Sequence, residues 1–458
     1  MRIGALTVFL RRRYEVIICL SLGIFSTLLR SLPFLKNLNP LGYDTGFYRR
    51  YLTQPFLSFP NGEVPGLGND ALFPRFVLDI LRLFHLPTDI ILYGVYIFVF
   101  ALLPILLFIW LKPTSGTRVA SIAGLFLILS PVQYVGFWFM LLKNVMALGL
   151  VFLAFISFEK RWFIPLLALD IGIALSHKTT AVIYLLTLAV LALIHAGRRK
   201  EIFVHCLITG LCFVAVNTTL AHVVIRAAPV AVFLGWSQYL TLSIPFLALA
   251  LFGIPSLFKK KISPALVAFS FVSILFPILH LPFYERIFIF SDIALLVFAA
   301  FGIEYLISRI DWKKPKSLSY SYFAVICIVV GTLLGNLWNE IRARSPLVSE
   351  RDIAKIEQIG DSVPKNAIIL TTSEEAPWYE GWTLSHIAAP GMLRDTHNLE
   401  MWQEIWYATG TTKTTRLLND FSRPLFISTL NDFNHLIGNR PSCATQINPQ
   451  LLEYKCKK

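Results

Sequence analysis

NPLGYDTGFYRRYL, residues 39 to 52, begins where the first long apolar run of the chain ends. Pro40, Gly42 and Gly46 mark a turn, Asp44 stands on it, and aromatic residues with two arginines follow. Aspartate is a favoured helix N-cap, and the residues after it have a helical pattern. A carboxylate at a water boundary, fenced by aromatic side chains, is also suited to removing a proton from an acceptor hydroxyl. The two roles are compatible, and choosing between them depends on what surrounds the turn.

The surroundings are those of a polytopic α-helical membrane protein. The 458 residues are 56% hydrophobic, with a mean hydropathy of +0.65, outside the range of soluble globular chains. The net charge of +14 does not point to nucleic acid. Residues 1 to 345 hold 30 Lys and Arg against 14 Asp and Glu, whereas residues 346 to 458 hold 11 against 13. Apolar runs near bilayer-crossing length fall at about 15 to 35, 90 to 111, 119 to 137, 140 to 158, 162 to 176, 180 to 196, 202 to 224, 238 to 258, 263 to 282, 287 to 307 and 319 to 338, about eleven candidate spans.

With a cytoplasmic N-terminus, the inner connections carry 18 basic residues, among them Arg11 to Arg13, Arg198 to Lys200 and Lys259 to Lys261. The short outer connections carry four, Lys143, Lys178, Arg226 and Arg286. The positive-inside rule therefore predicts a multi-pass plasma-membrane protein whose final 113 residues lie outside, on the face that carries Asp44. The first run is long and lacks a small-residue cleavage site, which reads as an uncleaved anchor.

Two regions outside the spans are patterned. The first outer loop, about 36 to 89, is too long for a mere connector. Within it DTGFYRRYL reads as a short helix and NDALFPRFVLDILRLFHL as a second, capped by Asn69 or Asp70 and lying along the membrane surface on Phe73, Phe76, Val77, Ile80, Leu81 and Phe84. Residues 346 to 458 read as a small extracytoplasmic α/β domain: a helix at 350 to 360, strands at AIILTT and PLFISTL, and an amphipathic helix at NLEMWQEIWYAT. Cys443 and Cys456 in this tail have the compartment to pair, and Cys19, Cys206, Cys212 and Cys327 in the spans read as packed small hydrophobes.

Charges at membrane depth cost roughly 2.5 to 3.5 kcal/mol on insertion scales, so each calls for a reason. Asp170, Asp292 and Glu304 read first as bundle-facing groups satisfied by neighbours, and second as an ion or proton relay. Lys143, His177, Lys178 and Arg286 sit at outer span ends, where snorkelling is one explanation and holding the phosphate of a membrane-anchored lipid is another.

This layout resembles the GT-C superfold of membrane glycosyltransferases, which includes protein O-mannosyltransferases, lipid A aminoarabinose transferases and oligosaccharyltransferase catalytic subunits. The resemblance rests on GYDTGFY just past the first span, on the surface-lying helix at 71 to 86, and on ERIFIFSDIALLVFAAFGIEYL as the late span. It implies a polyprenyl-phosphate sugar as donor, a glycan, lipid or protein acceptor, Asp44 as the catalytic carboxylate, and Arg286 on the donor phosphate with Lys178 and His177 beside it. Asp70, Tyr48 and Lys143 are secondary candidates. AIILTTSEEAPWYEGW is similar in order to the oligosaccharyltransferase segment in which a strand leads into a Trp-Trp-Asp-Tyr-Gly motif, though Trp378, Tyr379, Glu380 and Gly381 only approximate that motif.

No paired-acid Asp-x-Asp or Asp-x-Glu motif follows the third span, so no cofactor is firmly implied and a Mg or Mn ion has no dedicated signature. Trp378, Tyr379, Trp382, Trp402 and Trp406 read as core of the small domain more than as sugar-stacking faces. The rival readings are a secondary transporter of a lipid-linked or anionic solute, an O-antigen ligase or polymerase, and a non-enzymatic receptor or scaffold.

Overall fold

The computed structural model describes residues 2–53, 71–216, 234–257, 262–281, 284–310, 317–390, 392–393, 402, 418–419, 421, 424–430 and 444–455. Helix α1 (Arg2–Ser31) leads through a short 3-10 turn into the loop bearing Asp44. Helices α2 (Thr45–Thr53) and α3 (Leu72–Arg82) follow. A π-helical turn at Ile90–Gly94 enters α4 (Val95–Ser115), then α5 (Thr117–Leu129), α6 (Pro131–Trp138), α7 (Leu142–Glu159), α8 (Phe163–Ala174), α9 (Lys178–Ile194) and α10 (Arg199–Val216). The bundle is completed by α11 (Trp236–Leu257), α12 (Pro264–Ile278), α13 (Phe288–Ser308) and α14 (Ser317–Ala343).

This is a multi-pass membrane protein of the helical class. The described parts of the apolar runs are mostly helical, with breaks at Ser130 and at Met140 and Leu141. Among the described residues, six helices are long and apolar enough to cross a membrane, or up to eight if each of two bent pairs is one span. One pair is α5 with α6, bent by 47°. There Ser130 leaves helical geometry, Pro131 takes the first helical position, and the Ser130 hydroxyl caps α6 by accepting from the Gln133 N–H. The other pair runs from α9 through a short 3-10 turn into α10 and bends by 113°. Helices α8 and α12 are shorter apolar helices.

Burial sorts the helices by position. Nearly nine-tenths (89%) of the apolar length of α13 is buried, whereas 11% of α14 is, as befits a helix turned toward lipid. The tight crossing of α11 and α13 depends on two glycines: a Cβ at Gly302 would lie 1.8 Å from the Leu249 carbonyl oxygen, and one at Gly253 would lie 2.6 Å from that of Phe298. Helix α3 packs on Pro74 and Leu78 and leaves Phe76, Ile80, Leu83 and Phe84 exposed. That is the apolar face of a surface-lying helix. It begins after Ala71, and Asn69 and Asp70 lie outside the described residues.

After α14 come α15 (Glu350–Ser362), β1 (Ile368–Leu370), α16 (Ala376–Trp382), β2 (His386–Ala389), β3 (Met392–Leu393), β4 (Leu425–Ser428), β5 (Ala444–Asn448) and β6 (Leu451–Tyr454). The strands form one mixed sheet in the order β3-β2-β1-β4-β6-β5, with β1 parallel to both β2 and β4. AIILTT and PLFISTL are thus the sheet's two central parallel strands, β1 and β4. Trp378, Tyr379, Trp382 and Trp402 are buried. Trp406, most of NLEMWQEIWYAT, Cys443 and Cys456 lie outside the described residues.

Candidate active site

The turn holding Asp44 is built from backbone contacts that only a small residue permits. The Gly42 N–H donates to the carbonyl of Trp138, the last residue of α6, at 2.7 Å. A Cβ at Gly42 would lie 2.6 Å from that same oxygen. The Gly42 carbonyl then accepts from the Thr45 N–H at 3.1 Å and the Thr45 hydroxyl at 2.6 Å. Asp44 occupies the residue before α2, its carbonyl accepting from the Tyr48 N–H at 3.3 Å. Tyr43 is fixed from the other side, its hydroxyl donating to the Ser373 carbonyl at 2.5 Å.

Helix α2 is pressed against α16, the WYEGW helix of the C-terminal unit. Here Gly46 meets Gly381: a Cβ on Gly46 would lie 1.6 Å from the Pro377 carbonyl oxygen, and one on Gly381 would lie 2.5 Å from Gly46 Cα. The two arginines after the turn staple the contact. Arg49 donates to the Gly381 carbonyl at 2.7 Å and lies over the Trp382 ring at 4.6 Å, and it pairs with Asp89 at 3.4 Å. Arg50, buried, donates to the Thr383 carbonyl and to those of Leu384 and Ser385 at 3.3 and 3.4 Å, with Glu380 3.6 Å away. Gly46→Leu is therefore expected to separate the two helices, an overpacking penalty of about 1 to 3 kcal/mol. Thermal unfolding and proteolysis between 344 and 350 check it; an unchanged midpoint and cleavage pattern would contradict the contact.

Two loops bring Lys143 and Arg286 to this turn, and a third places His177 and Lys178 beside the same two cations. Met140 is buried with φ of 60°, in the left-handed region that a long side chain rarely adopts, and it redirects the chain from α6 into α7 so that Lys143 stands in the first turn of α7. His177 caps α9: its Nδ1 accepts from the Thr180 N–H at 3.3 Å, and Lys178 is the first residue of the helix. Arg286 lies on the 3-10 turn Tyr284–Ile287 that enters α13, and it is exposed.

Electrostatics tie these groups together. Desolvation holds the Asp44 carboxyl above its ordinary pKa, with Lys143 and then Arg286 pulling it back down. Burial pushes the His177 imidazole well below its usual value, and Lys143, Arg286 and Lys178 push it the same way. His177 is therefore neutral near pH 7, and the Thr180 bond to Nδ1 leaves its ring proton on Nε2. Among the described residues, the Asp44 carboxylate, the cations Lys143, Lys178 and Arg286 and the neutral His177 imidazole are thus electrostatically linked. Tyr48 is buried on α2, and Asp70 lies outside the described residues.

The acids at membrane depth form separate networks. Asp170 accepts from the Tyr184 hydroxyl at 2.8 Å and pairs with His205 Nδ1 at 2.6 Å, linking α8, α9 and α10. Asp292 accepts from Ser130 and Gln133. Both carboxylates are thus engaged by bundle neighbours. Among the described residues, no three His, Cys, Asp or Glu side chains are grouped to hold a metal ion.

Neither a protein-family model nor a curated protein matches the sequence. Solved structures do match. The archaeal oligosaccharyltransferase AglB from Archaeoglobus fulgidus, in complex with an inhibitory peptide and a dolichol-phosphate, superposes with a TM-score of 0.64 at 11% identity, over 91% of this chain and 70% of that one. This is the GT-C fold. ArnT from Cupriavidus metallidurans bound to undecaprenyl phosphate shares the fold almost end to end, with 99% of this chain and 98% of that chain covered at a TM-score of 0.56 and 11% identity. The mycobacterial arabinofuranosyltransferase AftD is larger: 92% of this chain matches 35% of it, with a TM-score of 0.53 and 15% identity. Asp44, Lys143, His177, Lys178 and Arg286, with Tyr48 and Asp70, are the candidates that the sequence offers. Tyr43, Arg49 and Arg50, which fix the turn, carry no such signal beyond the RR pair after Asp44.

Proposed function

We propose that this protein is an integral-membrane glycosyltransferase that moves a sugar from a polyprenyl-phosphate donor to a hydroxyl or other nucleophile of a glycan, lipid or protein acceptor. The observation that carries the reading is the convergence of Asp44 with Lys143 and Arg286, and of His177 with the same two cations and Lys178, at one end of a GT-C bundle. A lipid-anchored phosphate delivers its reactive bond at that depth, and a cluster of cations there has a charge to neutralise.

In the proposed reaction the Asp44 carboxylate takes the acceptor's proton as the acceptor oxygen bonds to the anomeric carbon. The bond from that carbon to the phosphate oxygen breaks, and its electron pair stays on the phosphate. Arg286 and Lys178 stabilise that charge, with Lys143 and the His177 N–H nearby. Direct displacement inverts the anomeric centre. The basic-residue asymmetry supports a cytoplasmic N-terminus with this site outside, residues 1 to 345 forming the membrane unit and 346 to 458 an extracytoplasmic unit that roofs the acceptor side through α16.

The base must be ionised, so the rate should fall as acid protonates Asp44, with an acid limb above the ordinary aspartate range. A neighbouring cation lowers a carboxyl pKa, so removing one raises it. Lys143→Met is therefore expected to move the acid limb of the pH–rate profile to higher pH, and Lys143→Arg to leave it near the wild-type position. An unmoved limb in Lys143→Met would contradict the coupling.

The activity itself is tested by offering radiolabelled polyprenyl-phosphate and polyprenyl-pyrophosphate sugars to purified protein in nanodiscs with candidate acceptors. Label leaving the lipid fraction for an acceptor supports the reading. Label that crosses a liposome membrane still attached to its lipid identifies a transporter instead.

A further inference from the structure

The break between α5 and α6 is a liability at membrane depth, because it frees carbonyls at the end of α5 and N–H groups at the start of α6. Two buried side chains, one basic and one acidic, meet it. Arg30, at the end of α1, is 1% exposed and directs Nη2 toward the Ile128 carbonyl in the last turn of α5 at 3.4 Å. Its guanidinium lies over the rings of Phe100, Tyr134 and Phe137 at 5.3, 5.3 and 5.5 Å, and two of those rings belong to α6. Asp292 of α13, fully buried, accepts from the Ser130 hydroxyl at 2.8 Å and from Gln133 Nε2 at 2.9 Å. That is the N-terminal end of α6.

The signs suit the half-helices. The Arg30 guanidinium faces the negative C-terminal end of α5, and the Asp292 carboxyl group accepts at the positive N-terminal end of α6. What α6 carries at its other end is the Trp138 carbonyl that receives the Gly42 N–H, two residues before Asp44. Helix α6 spans eight residues and is gripped there too, with the Tyr96 hydroxyl donating to the Phe137 carbonyl at 3.0 Å and the Tyr96 and Phe137 rings stacked at 5.0 Å.

We infer that Arg30 and Asp292 are positioning residues: they fix the broken span so that α6 presents the Trp138 carbonyl and thereby holds the Asp44 turn in place. Neither needs to touch a substrate. The inference rests on the proposed reaction only for its consequence in catalysis, since the mechanical link from the break to Gly42 is independent of what the site does.

The test uses Arg30→Gln, Arg30→Lys and Asp292→Asn in the full-length protein in nanodiscs. Asp292→Asn keeps shape and an acceptor oxygen, so it serves where Arg30→Gln fails to fold. Hydrogen exchange of a peptide covering residues 39 to 45 is expected to quicken by about tenfold in Arg30→Gln and Asp292→Asn, with α13 and the C-terminal sheet unchanged. In the transfer assay kcat should fall by about tenfold at constant donor KM, with Arg30→Lys recovering most of it. Unchanged exchange at 39 to 45, or an equal loosening of the whole bundle, overturns the inference. Loosening confined to 39 to 45 in a wild-type background that transfers no sugar keeps the clamp and removes the transferase reading.

Discussion

Asp44→Asn is expected to lower the transfer rate by about 10²- to 10⁴-fold, the range contributed by a positioned general base. The substitution separates the two roles that aspartate can play at this position. Asparagine caps a helix about as well as aspartate, so α2 should remain formed and seated on α16. The backbone bonds of the turn, from Gly42 to Trp138 and from Thr45 to Gly42, do not involve the side chain. Only the capacity to take a proton is lost. Asp44→Glu, which keeps the acid but displaces it by a methylene, should fall between. Wild-type turnover in Asp44→Asn, with membrane insertion and thermal midpoint unchanged, would assign the aspartate to capping alone.

Arg286→Gln should lower kcat by about 10²- to 10³-fold, the usual effect of removing one group that stabilises charge on a leaving oxygen. Arg286→Lys should restore only part of it, because an ammonium cannot reproduce a bidentate grip on phosphate. The alternative for this residue is snorkelling toward headgroups from the end of α13. A snorkelling side chain is interchangeable with lysine or glutamine at little cost to the rate, so the kinetic loss discriminates. Single-turnover measurements with saturating donor are the appropriate check, and a rate within about twofold of wild type would place Arg286 outside the chemistry.

The membrane bundle was legible because twenty apolar residues in a row leave the chain few alternatives, and the turn at Asp44 because Pro40, Gly42 and Gly46 punctuate it. Lys143, Lys178 and Arg286 stood out as rare cations on connections otherwise poor in positive charge. The rest depended on contacts distant in sequence. Strands of two to five residues, such as β3 and β5, carry too short a pattern to be read. Gly46 looked like turn punctuation, yet its role is to let α2 approach α16 some 330 residues away. Arg30 stands inside the first apolar run, where nothing in the sequence singles it out, and its partners come from α4, α5 and α6. Asp292 was flagged as a charge needing a reason, and the reason is the break at Ser130, which hydropathy averaged into one continuous span from 119 to 137.

A structure of the protein in nanodiscs with a polyprenyl phosphate bound tests the convergence of acid and cations most directly. The phosphate is expected against Arg286 and Lys178, within reach of the His177 Nε2 proton, with the Asp44 carboxylate on the side from which an acceptor would approach. A headgroup held elsewhere on the bundle, with Asp44 remote from it, would contradict the assignment.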